Sequence, residues 1–421
     1  MTLCEMKSSG VEWIGDIPLY WNILKGKYCL SLLQRPILES DEVITCFRDG
    51  VVTLRSCRRE EGFTVSLKEI GYQGIEPGDI VVHGMDGFAG AIGISDSRGK
   101  ASPVLIVLDT NLCKKFVVYY LRVMAFTDVF LAQSTGIRIR SCDTSWNKLK
   151  NLPYPIPPKN EQIAIANFLD SKCEEIDALC ADIEKQIETL EEYKKSVITE
   201  AVTKGLDPNV EMKDSGVEWV GVIPKCWQLH PIYFYFTERK CLNKAGKEQN
   251  LLSLSYGKIV KKDISTREGL LPASFNTYNI ISSGDIVFRL TDLQNDKRSL
   301  RTGLSRERGI ITSAYVTISP KTEKDTRFYH YLFHAYDINK VFYNLGNGVR
   351  QGLNYSELSR LMALEPPKNE QIAIANFLDT KCEEIDAIIL GKKNQLDTLA
   401  QYKQSLIYEY VTGKKAVPAN F

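Results

Sequence analysis

Histidine is scarce in this chain, so acid/base and metal chemistry have few candidate side chains. Only four histidines occur among 421 residues. His330 and His334 stand four residues apart, a spacing that suits metal ligation on a helix, but the sequence offers no clear third ligand. We interpret the two as packed or exposed side chains and expect no metal site.

Two segments of the sequence are similar to nucleotide-binding or cofactor-binding motifs, but neither matches its motif. In residues 93–101, five residues rather than four separate Gly93 from Gly99-Lys100, and Ala101 lacks the hydroxyl that would hold Mg²⁺ in a phosphate-binding loop. Residues 151–154, Asn-Leu-Pro-Tyr, lack the first proline of the Asn-Pro-Pro-Tyr loop of adenine methyltransferases, and no companion glycine-rich cofactor loop is evident. The sequence therefore predicts a non-catalytic chain with no cofactor of its own.

Long apolar runs and paired cysteines are also missing. No uninterrupted apolar stretch approaches the roughly 18 to 20 residues that a membrane span needs. The eleven cysteines are odd in number and include no CxxC pair, and residues 1–7 lack the basic-then-apolar layout of a secretory signal. We expect a cytoplasmic protein with no membrane contact.

The net charge of +1 hides a separation of charge along the chain. Residues 1–160 hold 19 basic and 17 acidic side chains, and residues 205–369 hold 23 and 17. Residues 161–204 hold only 5 basic against 11 acidic, and residues 370–421 hold 6 against 7. This distribution is expected if only the two larger segments face the phosphates of a nucleic acid. A chance fluctuation is the alternative interpretation.

One unit is written twice in the sequence. The Ser-Gly-Val-Glu-Trp motif of residues 9–13 returns at residues 215–219, and a Gly-Asp-Ile-Val motif at residues 78–81 returns at residues 284–287. Residues 157–170 then return almost unchanged at 366–379. Between these motifs the two copies differ widely, so each unit is a variable domain of about 150 residues followed by a near-constant segment.

The near-constant segment is predicted to be a long helix with a heptad seam. Asn160 can cap its start, and Gly205 followed by Pro208 stops it; Asn369 and Gly413 do the same in the second copy. Lys194 and Lys403 interrupt the apolar pattern. The predicted seam consists of Ile176, Ile183, Ile187, Leu190 and Val197 in the first helix, and Ile385, Ile389, Leu396, Leu399 and Leu406 in the second.

The two helices are predicted to pair with each other in antiparallel fashion. One amphipathic helix cannot bury its own stripe, and the other copy supplies a matching one. A helix of about 44 residues spans about 65 Å, whereas the second variable domain has an expected radius of gyration of only about 15 Å. Such a domain cannot easily return the chain to the start of a parallel helix. A helix lying on its own domain is the alternative.

These signals divide the chain into two domains, two helices and a tail. The predicted divisions are residues 1–158, 159–205, 206–367, 368–413 and 414–421. Short β-rich runs punctuated by Gly, Asp and Ser make each variable domain a mixture of strands and helices. The fold class is predicted as α+β, with a pseudo-two-fold internal repeat.

The chain resembles the specificity subunits of Type I restriction-modification systems along almost its whole length. The resemblance is carried by the Ser-Gly-Val-Glu-Trp-(Ile/Val)-Gly motif, by the Pro-Pro-Lys-Asn-Glu-Gln-Ile helix start and by the helix ends at residues 190–205 and 402–413. It implies two mixed α/β target-recognition domains joined by two long antiparallel coiled-coil helices. Each domain would recognise one half of a split DNA sequence.

The resemblance also implies partners and assigns the chemistry to them. Two methyltransferase (modification) subunits and the restriction (helicase-nuclease) subunits would dock on this chain, which itself binds double-stranded DNA. S-adenosylmethionine, ATP and Mg²⁺ are expected on those partners and not on this chain.

Arginines on glycine-containing turns are the favoured DNA contacts, because a guanidinium can pair with guanine or clamp a phosphate. The strongest candidates precede each long helix, where the resemblance places a Gly-x-Arg element; next come residues that follow the Gly-Asp-Ile-Val motif, and a basic loop. The predicted DNA-binding residues are Arg138, Arg140, Arg350, His83, Arg289, Lys297, Arg298 and Arg301. A solvated surface charge is the alternative for each.

Two other function classes are kept as alternatives. One is a coiled-coil scaffold whose variable domains bind proteins. The other is a fragment of a fused restriction-methyltransferase. A scaffold would show no salt-dependent DNA binding, and a fused enzyme would transfer methyl groups on its own.

Overall fold

The computed structural model describes residues 5–58, 69–132, 144–264, 274–291, 293, 300–322, 324–343 and 352–418. Arg138, Arg140, Arg350, Lys297 and Arg298, which the sequence predicts as DNA contacts, lie outside the described residues. The chain forms two compact units. The first comprises Met1–Ile183 with Lys393–Phe421, and the second comprises Glu184–Lys392.

In its described part, the first unit combines short strands with three short helices, the start of one long helix and the end of another. Its strands are β1 (Met6–Ser8), β2 (Asp16–Pro18), β3 (Asn22–Lys25), β4 (Leu30–Leu32), β5 (Ile44–Cys46), β6 (Val52–Leu54), β7 (Gln73–Ile75), β8 (Ile80–His83), β9 (Ile92–Ile94), β10 (Gly99–Ala101), β11 (Leu105–Thr110) and β12 (Pro153–Ile156). Its helices are α1 (Lys114–Phe126), α2 (Val129–Ala132), α3 (Trp146–Leu149) and the first part of α4 (Lys159–Lys204).

The second unit repeats this order of strands, and a short helix lies between its third and fourth strands. Its strands are β13 (Met212–Asp214), β14 (Val222–Pro224), β15 (Gln228–Pro231), β16 (Phe236–Glu238), β17 (Leu252–Ser255), β18 (Lys258–Lys261), β19 (Asn279–Ile281), β20 (Ile286–Phe288), β21 (Thr302–Leu304), β22 (Gly309–Ile311), β23 (Val316–Pro320) and β24 (Met362–Glu365). Its helices are α5 (Ile232–Tyr235), α6 (Thr326–Ile338), α7 (Tyr355–Leu358) and the first part of α8 (Lys368–Val411).

A four-stranded antiparallel sheet lies in each unit, and the two sheets have the same strand order. The order is β4-β11-β8-β9 in the first unit and β16-β23-β20-β21 in the second. The central strands β8 and β20 carry the repeated Gly-Asp-Ile-Val motif, and their Ile and Val side chains are buried. The repeat in the sequence is therefore a repeat in the fold.

The helix that follows each sheet ends at a matching irregularity. Apolar residues recur at helical spacing over residues 116–131 and 326–343, but α1 stops before Asp128 and α6 stops before Lys340. Both residues adopt a positive φ, 59° at Asp128 and 60° at Lys340. A left-handed residue cannot continue a right-handed helix, so the helices are shorter than their apolar periodicity suggests.

Both long helices run in the predicted places and pair in antiparallel fashion. In the first unit Lys403 on α8 donates to the Asp177 carboxylate on α4 at 2.6 and 2.7 Å. In the second unit Lys194 on α4 donates to Asp386 on α8 at 2.6 Å. Early residues of each helix therefore meet late residues of the other. The two lysines that interrupt the apolar pattern each find a carboxylate on the opposing helix.

The residues of the predicted seam are buried or half-buried. The buried members are Ile176, Ile183, Ile187, Ile385, Ile389 and Leu406, and the half-buried members are Leu190, Val197, Leu396 and Leu399. The outer ends of the helices also enter the domain cores, where Phe168 packs against Tyr410 with ring centroids 4.5 Å apart. The compact units therefore do not follow the linear division of domain and helix, because each unit contains one part of both helices.

A tryptophan in each unit joins the domain to both helices. Trp21 donates from Nε1 to Glu161 at the start of α4 (3.1 Å), and Trp227 donates to Glu370 at the start of α8 (2.9 Å). Gly413, just after α8, packs on Trp21 with a φ of +74°. At this close approach an added Cβ would lie 3.2 Å from the ring and 2.4 Å from Pro18. The repeated edge residues therefore hold the helix ends.

Within the described residues, no helix is both long and apolar enough to cross a membrane.

Replacing Ile176 by Ala tests the contribution of the seam to stability. Ile176 is buried between the helices, so we expect a loss of about 2–4 kcal/mol from lost burial and the cavity that remains. Leu179, three residues later on the same helix, is 48% exposed and is the matched control, with an expected change within about 0.5 kcal/mol. Urea unfolding of the isolated chain measures both. Equal losses would contradict the seam.

Candidate nucleic-acid interface

The Gly-Asp pair before each central strand builds a rigid turn. The Asp79 carboxylate accepts a hydrogen bond from the Glu76 backbone N–H at 2.8 Å, and Asp285 accepts from Ser282 in the same way. Each carboxylate is also paired with an arginine, Asp79 with Arg35 and Asp285 with Arg239. These contacts fix the start of β8 and β20. The residue at or just after the end of each strand, His83 or Arg289, is consequently held in a defined place.

In the first unit the His83 ring is fixed by the turn that follows it. Nδ1 accepts a hydrogen bond from the Asp86 backbone N–H at 3.0 Å. Burial lowers the pKa of His83, because a charged imidazolium would lose hydration. His83 is therefore a neutral group near pH 7. Its ring therefore offers hydrogen bonds rather than a charge.

Thr144 connects the His83 turn to the Gly-x-Arg segment of the first unit. Its buried hydroxyl lies 3.2 Å from the carbonyl oxygens of both His83 and Gly84. Thr144 directly follows residues 133–143, which contain Arg138 and Arg140. The described border of that segment therefore lies against the turn. The side chains of the two arginines themselves lie outside the described residues.

The second unit makes the matching connection through its backbone. Leu353 N–H donates to the Leu290 carbonyl at 3.0 Å. Leu353 and Leu290 occupy the places of Thr144 and Gly84 in the repeat. Leu353 comes just after the segment that contains Arg350, and Leu290 follows Arg289, whose side chain is exposed. Candidate residues from separate motifs thus belong to segments whose described borders meet at one turn in each unit.

The prediction that Arg301 contacts DNA is wrong, because its side chain is fully buried. Nη1 donates to the carbonyl oxygens of Arg289 (3.0 Å) and Thr291 (2.8 Å), and Nε donates to the Tyr343 hydroxyl (3.2 Å). The Arg301 backbone N–H donates to the buried Asp337 carboxylate at 2.7 Å. The guanidinium therefore joins the described residues on either side of the segment that contains Lys297 and Arg298.

Sequence reasoning missed the residues that organise this turn. Thr144 and Leu353 share a place in the repeat but not a residue type, so comparison of the two copies does not reveal them. Arg301 lies in a basic run, and charge alone does not show that its neighbours enclose it. The Gly-Asp motif was visible, and it does position the turn.

The histidine pair of α6 offers no metal site among the described residues. The His330 and His334 ring centroids are 6.3 Å apart, and no group of three His, Cys, Asp or Glu residues in the described part of the chain could hold a metal ion. Burial lowers the pKa of His330 to about 4 and of His334 to about 3. Both are neutral side chains packed on the helix.

No protein-family model matches the chain. It is 26% identical over 278 residues to a type I restriction enzyme specificity subunit, MjaX, of Methanocaldococcus jannaschii, covering 63% of this chain and 60% of the relative. It is 28% identical over 284 residues to the MjaVIII specificity subunit of the same organism, covering 63% and 62%. The matches thus span less than two thirds of the length of these curated relatives.

A solved structure shows the same fold. It is described as the structural basis of complex assembly and conformational transition of the type I R-M system, and one of its chains is 12% identical to this chain with a TM-score of 0.68. The match covers 95% of this chain and 99% of that chain. The predicted α+β architecture of two mixed domains and two long antiparallel helices is confirmed. The predicted resemblance to Type I specificity subunits is confirmed as well.

Arg301 and Arg289 form a matched pair for testing the buried arginine. Arg301→Ala removes at least three hydrogen bonds and leaves a cavity, so we expect the second unit to lose about 3 kcal/mol. Arg289→Ala changes an exposed side chain and should alter stability by no more than about 0.5 kcal/mol. Thermal unfolding followed by circular dichroism measures both, and an unchanged transition for Arg301→Ala would contradict its structural role.

Acid should destabilise the second unit through the α6 histidines. Their folded-state pKa values, about 4 and about 3, lie below the ordinary value of 6.5. The unfolded chain therefore binds these protons first, and stability falls as the pH drops from 6.5 towards 4. Urea midpoints across this range measure the effect. The double variant His330→Gln, His334→Gln should show a shallower loss, and an identical pH dependence would contradict this assignment.

Proposed function

We propose that this chain is the DNA-specificity subunit of a Type I restriction-modification system, a non-catalytic protein that recognises a two-part target in double-stranded DNA. The observation that carries the proposal is the duplicated fold. In each unit a turn follows the buried Gly-Asp-Ile-Val strand and forms, with the residue that links to it, a turn cluster: His83 with Thr144 in the first unit and Arg289 with Leu353 in the second. The similarity to specificity subunits over 63% of the chain supports it.

Differences between the two turn clusters support a target with two dissimilar halves. His83 in the first unit corresponds to Arg289 in the second, and Thr144 corresponds to Leu353. A neutral imidazole and a guanidinium present different hydrogen-bonding groups to base edges. The frame of each cluster is the same, whereas the groups it presents differ. Such a pair suits an asymmetric sequence better than a palindrome.

The long helices support docking of two copies of one partner, the modification subunit. Large apolar side chains are exposed at matching places of the two helices. These pairs are Ile163 with Ile372, Leu179 with Ile388, and Tyr193 with Tyr402. Exposed apolar residues that recur through a pseudo-two-fold repeat suit a partner that binds twice. Restriction subunits would join the same complex.

The chemistry is proposed to reside on those partners. Modification subunits would supply S-adenosylmethionine-dependent methyl transfer to adenine, and restriction subunits would supply ATP- and Mg²⁺-dependent translocation and cleavage. This chain would contribute the recognition of the sequence.

The proposal is tested by DNA binding of the chain assembled with its modification subunits. The probe is a labelled duplex that carries the adenine-methylated sequence found by sequencing DNA from cells with and without this gene. We expect affinity to fall steeply with salt, because phosphate contacts release counterions. Arg350→Ala should weaken binding by about 1–3 kcal/mol.

Two outcomes would contradict the proposal. Binding that does not depend on salt would favour a protein-binding scaffold. Methyl transfer by this chain without a partner would favour a fused enzyme. A genome that lacks neighbouring methyltransferase and helicase-nuclease genes would also count against it.

A further inference from the structure

An exposed tyrosine occupies a strained position at the tip of a hairpin in the second unit. Strands β17 and β18 pair so that Ser255 faces Lys258, which leaves Tyr256 and Gly257 as a two-residue turn. Both turn residues have positive φ, 46° at Tyr256 and 76° at Gly257. Turns of this type favour Asn-Gly, because Asn and Gly tolerate the left-handed region and a bulky side chain does not.

Packing does not explain why a tyrosine occupies this turn. The base of the hairpin is anchored, since Leu252 and Leu254 enter a small core with Val287. The Tyr256 side chain, in contrast, is 74% exposed. A strained residue whose side chain points into solvent gains little from the fold. Such residues are often kept for contacts outside the protein.

The hairpin tip contacts the described border of one candidate DNA-contacting segment of its unit. The Gly257 N–H donates to the Leu300 carbonyl at 3.1 Å, and a Cβ on Gly257 would lie 2.8 Å from the Leu300 Cβ. Leu300 precedes Arg301, whose buried guanidinium holds the other end of the same loop at Arg289. The hairpin tip therefore adjoins Leu300, the described residue that directly follows residues 294–299.

The first unit has a corresponding hairpin in a corresponding place. Strands β5 and β6 form it, and Arg48 at its tip pairs with Asp86, a residue of the His83 turn, at 2.9 Å. The Arg58 guanidinium lies over the Phe47 ring, 4.4 Å from its centroid. Both hairpins thus combine an aromatic ring with cations, and each contacts the segment that joins the central strand to the next strand.

We propose that the hairpin tip formed by Tyr256, Gly257 and Lys258 contacts double-stranded DNA as part of the second half-site. This inference rests on the proposed function. A two-stranded β-ribbon fits the major groove, where an aromatic ring can lie against base edges or sugars. Three exposed lysines lie along or just after the same hairpin, namely Lys258, Lys261 and Lys262. Their positive charge complements the negative charge of DNA phosphates.

Lys258 is able to exchange its present partner for a phosphate. Its Nζ lies 3.6 Å from the Asp386 carboxylate, and the Lys258 side chain is 76% exposed. An ion pair of that length in solvent is weak. Asp386 keeps its shorter contact with Lys194 when Lys258 leaves, so the helix pair is not disturbed.

The variant Tyr256→Asn separates a DNA contact from a structural role, because the two predict opposite changes. Asn is favoured at this turn position, so the thermal midpoint should stay the same or rise. Affinity for the methylated-sequence duplex should fall about tenfold when the ring is lost, which corresponds to about 1.4 kcal/mol. Tyr256→Phe keeps the ring and should retain most of the affinity. The measurement is fluorescence anisotropy on the complex with modification subunits.

Two further variants complete the design. Lys258→Gln should reduce the slope of log affinity against log salt concentration by about one, as expected for one lost phosphate contact. Tyr233→Ala is the control, because Tyr233 is a half-exposed tyrosine of the same unit on α5 and has no proposed contact. Its DNA affinity should equal that of the unaltered chain.

The outcomes distinguish this inference from the proposed function. Salt-dependent binding by the unaltered chain together with unchanged binding by Tyr256→Asn would overturn the hairpin contact alone. A variant that binds DNA normally but loses its modification subunits would make the tip a protein-binding site, and would also overturn it. Failure of the unaltered complex to bind any duplex would overturn the proposed function itself.

Discussion

Burial of one apolar stripe against another is the interaction on which the rest of this structure depends. Helices α4 and α8 each carry a stripe that would face water if the helix stood alone. Antiparallel pairing buries both stripes, and at two places a lysine within the stripe meets an aspartate of the opposing helix, Lys194 with Asp386 and Lys403 with Asp177. These polar pairs add little stability in partly exposed sites. They do favour the one alignment in which each charge has a partner.

Each domain is attached to this pair by contacts that recur in both units. A tryptophan N–H, Trp21 or Trp227, donates to a glutamate in the first turn of one helix, and the glycine that ends the other helix packs on the same ring. Gln162 and Gln371 each donate to the carbonyl of the first proline before their helix at 2.8 Å. The repeated residues thus join the helices to the domains. The remaining surface of each domain is free to differ.

That division explains how one frame can present two recognition surfaces. In both units a buried aspartate fixes a central strand, and the strand delivers its last residue to a turn. The residue that borders the Gly-x-Arg segment contacts this turn. The tip of a hairpin contacts the segment that joins the central strand to the next strand. Thr144 links the turn to the following segment in the first unit, and Leu353 does so in the second unit, where buried Arg301 adds support from within. Groups that face outward can change without disturbing the strands beneath them.

The amino-acid sequence by itself determined the repeat, the extent and antiparallel pairing of the long helices, and the mixed strand and helix content of the domains. These follow from periodicity, capping residues and chain length, which are local or additive properties. Only the tertiary structure decided that Arg301 is enclosed, that Tyr256 stands exposed in a left-handed turn, and that His83 and Thr144 adjoin. Exposure and proximity depend on residues distant in the chain, and neither charge nor motif spacing encodes which side of a loop meets the core.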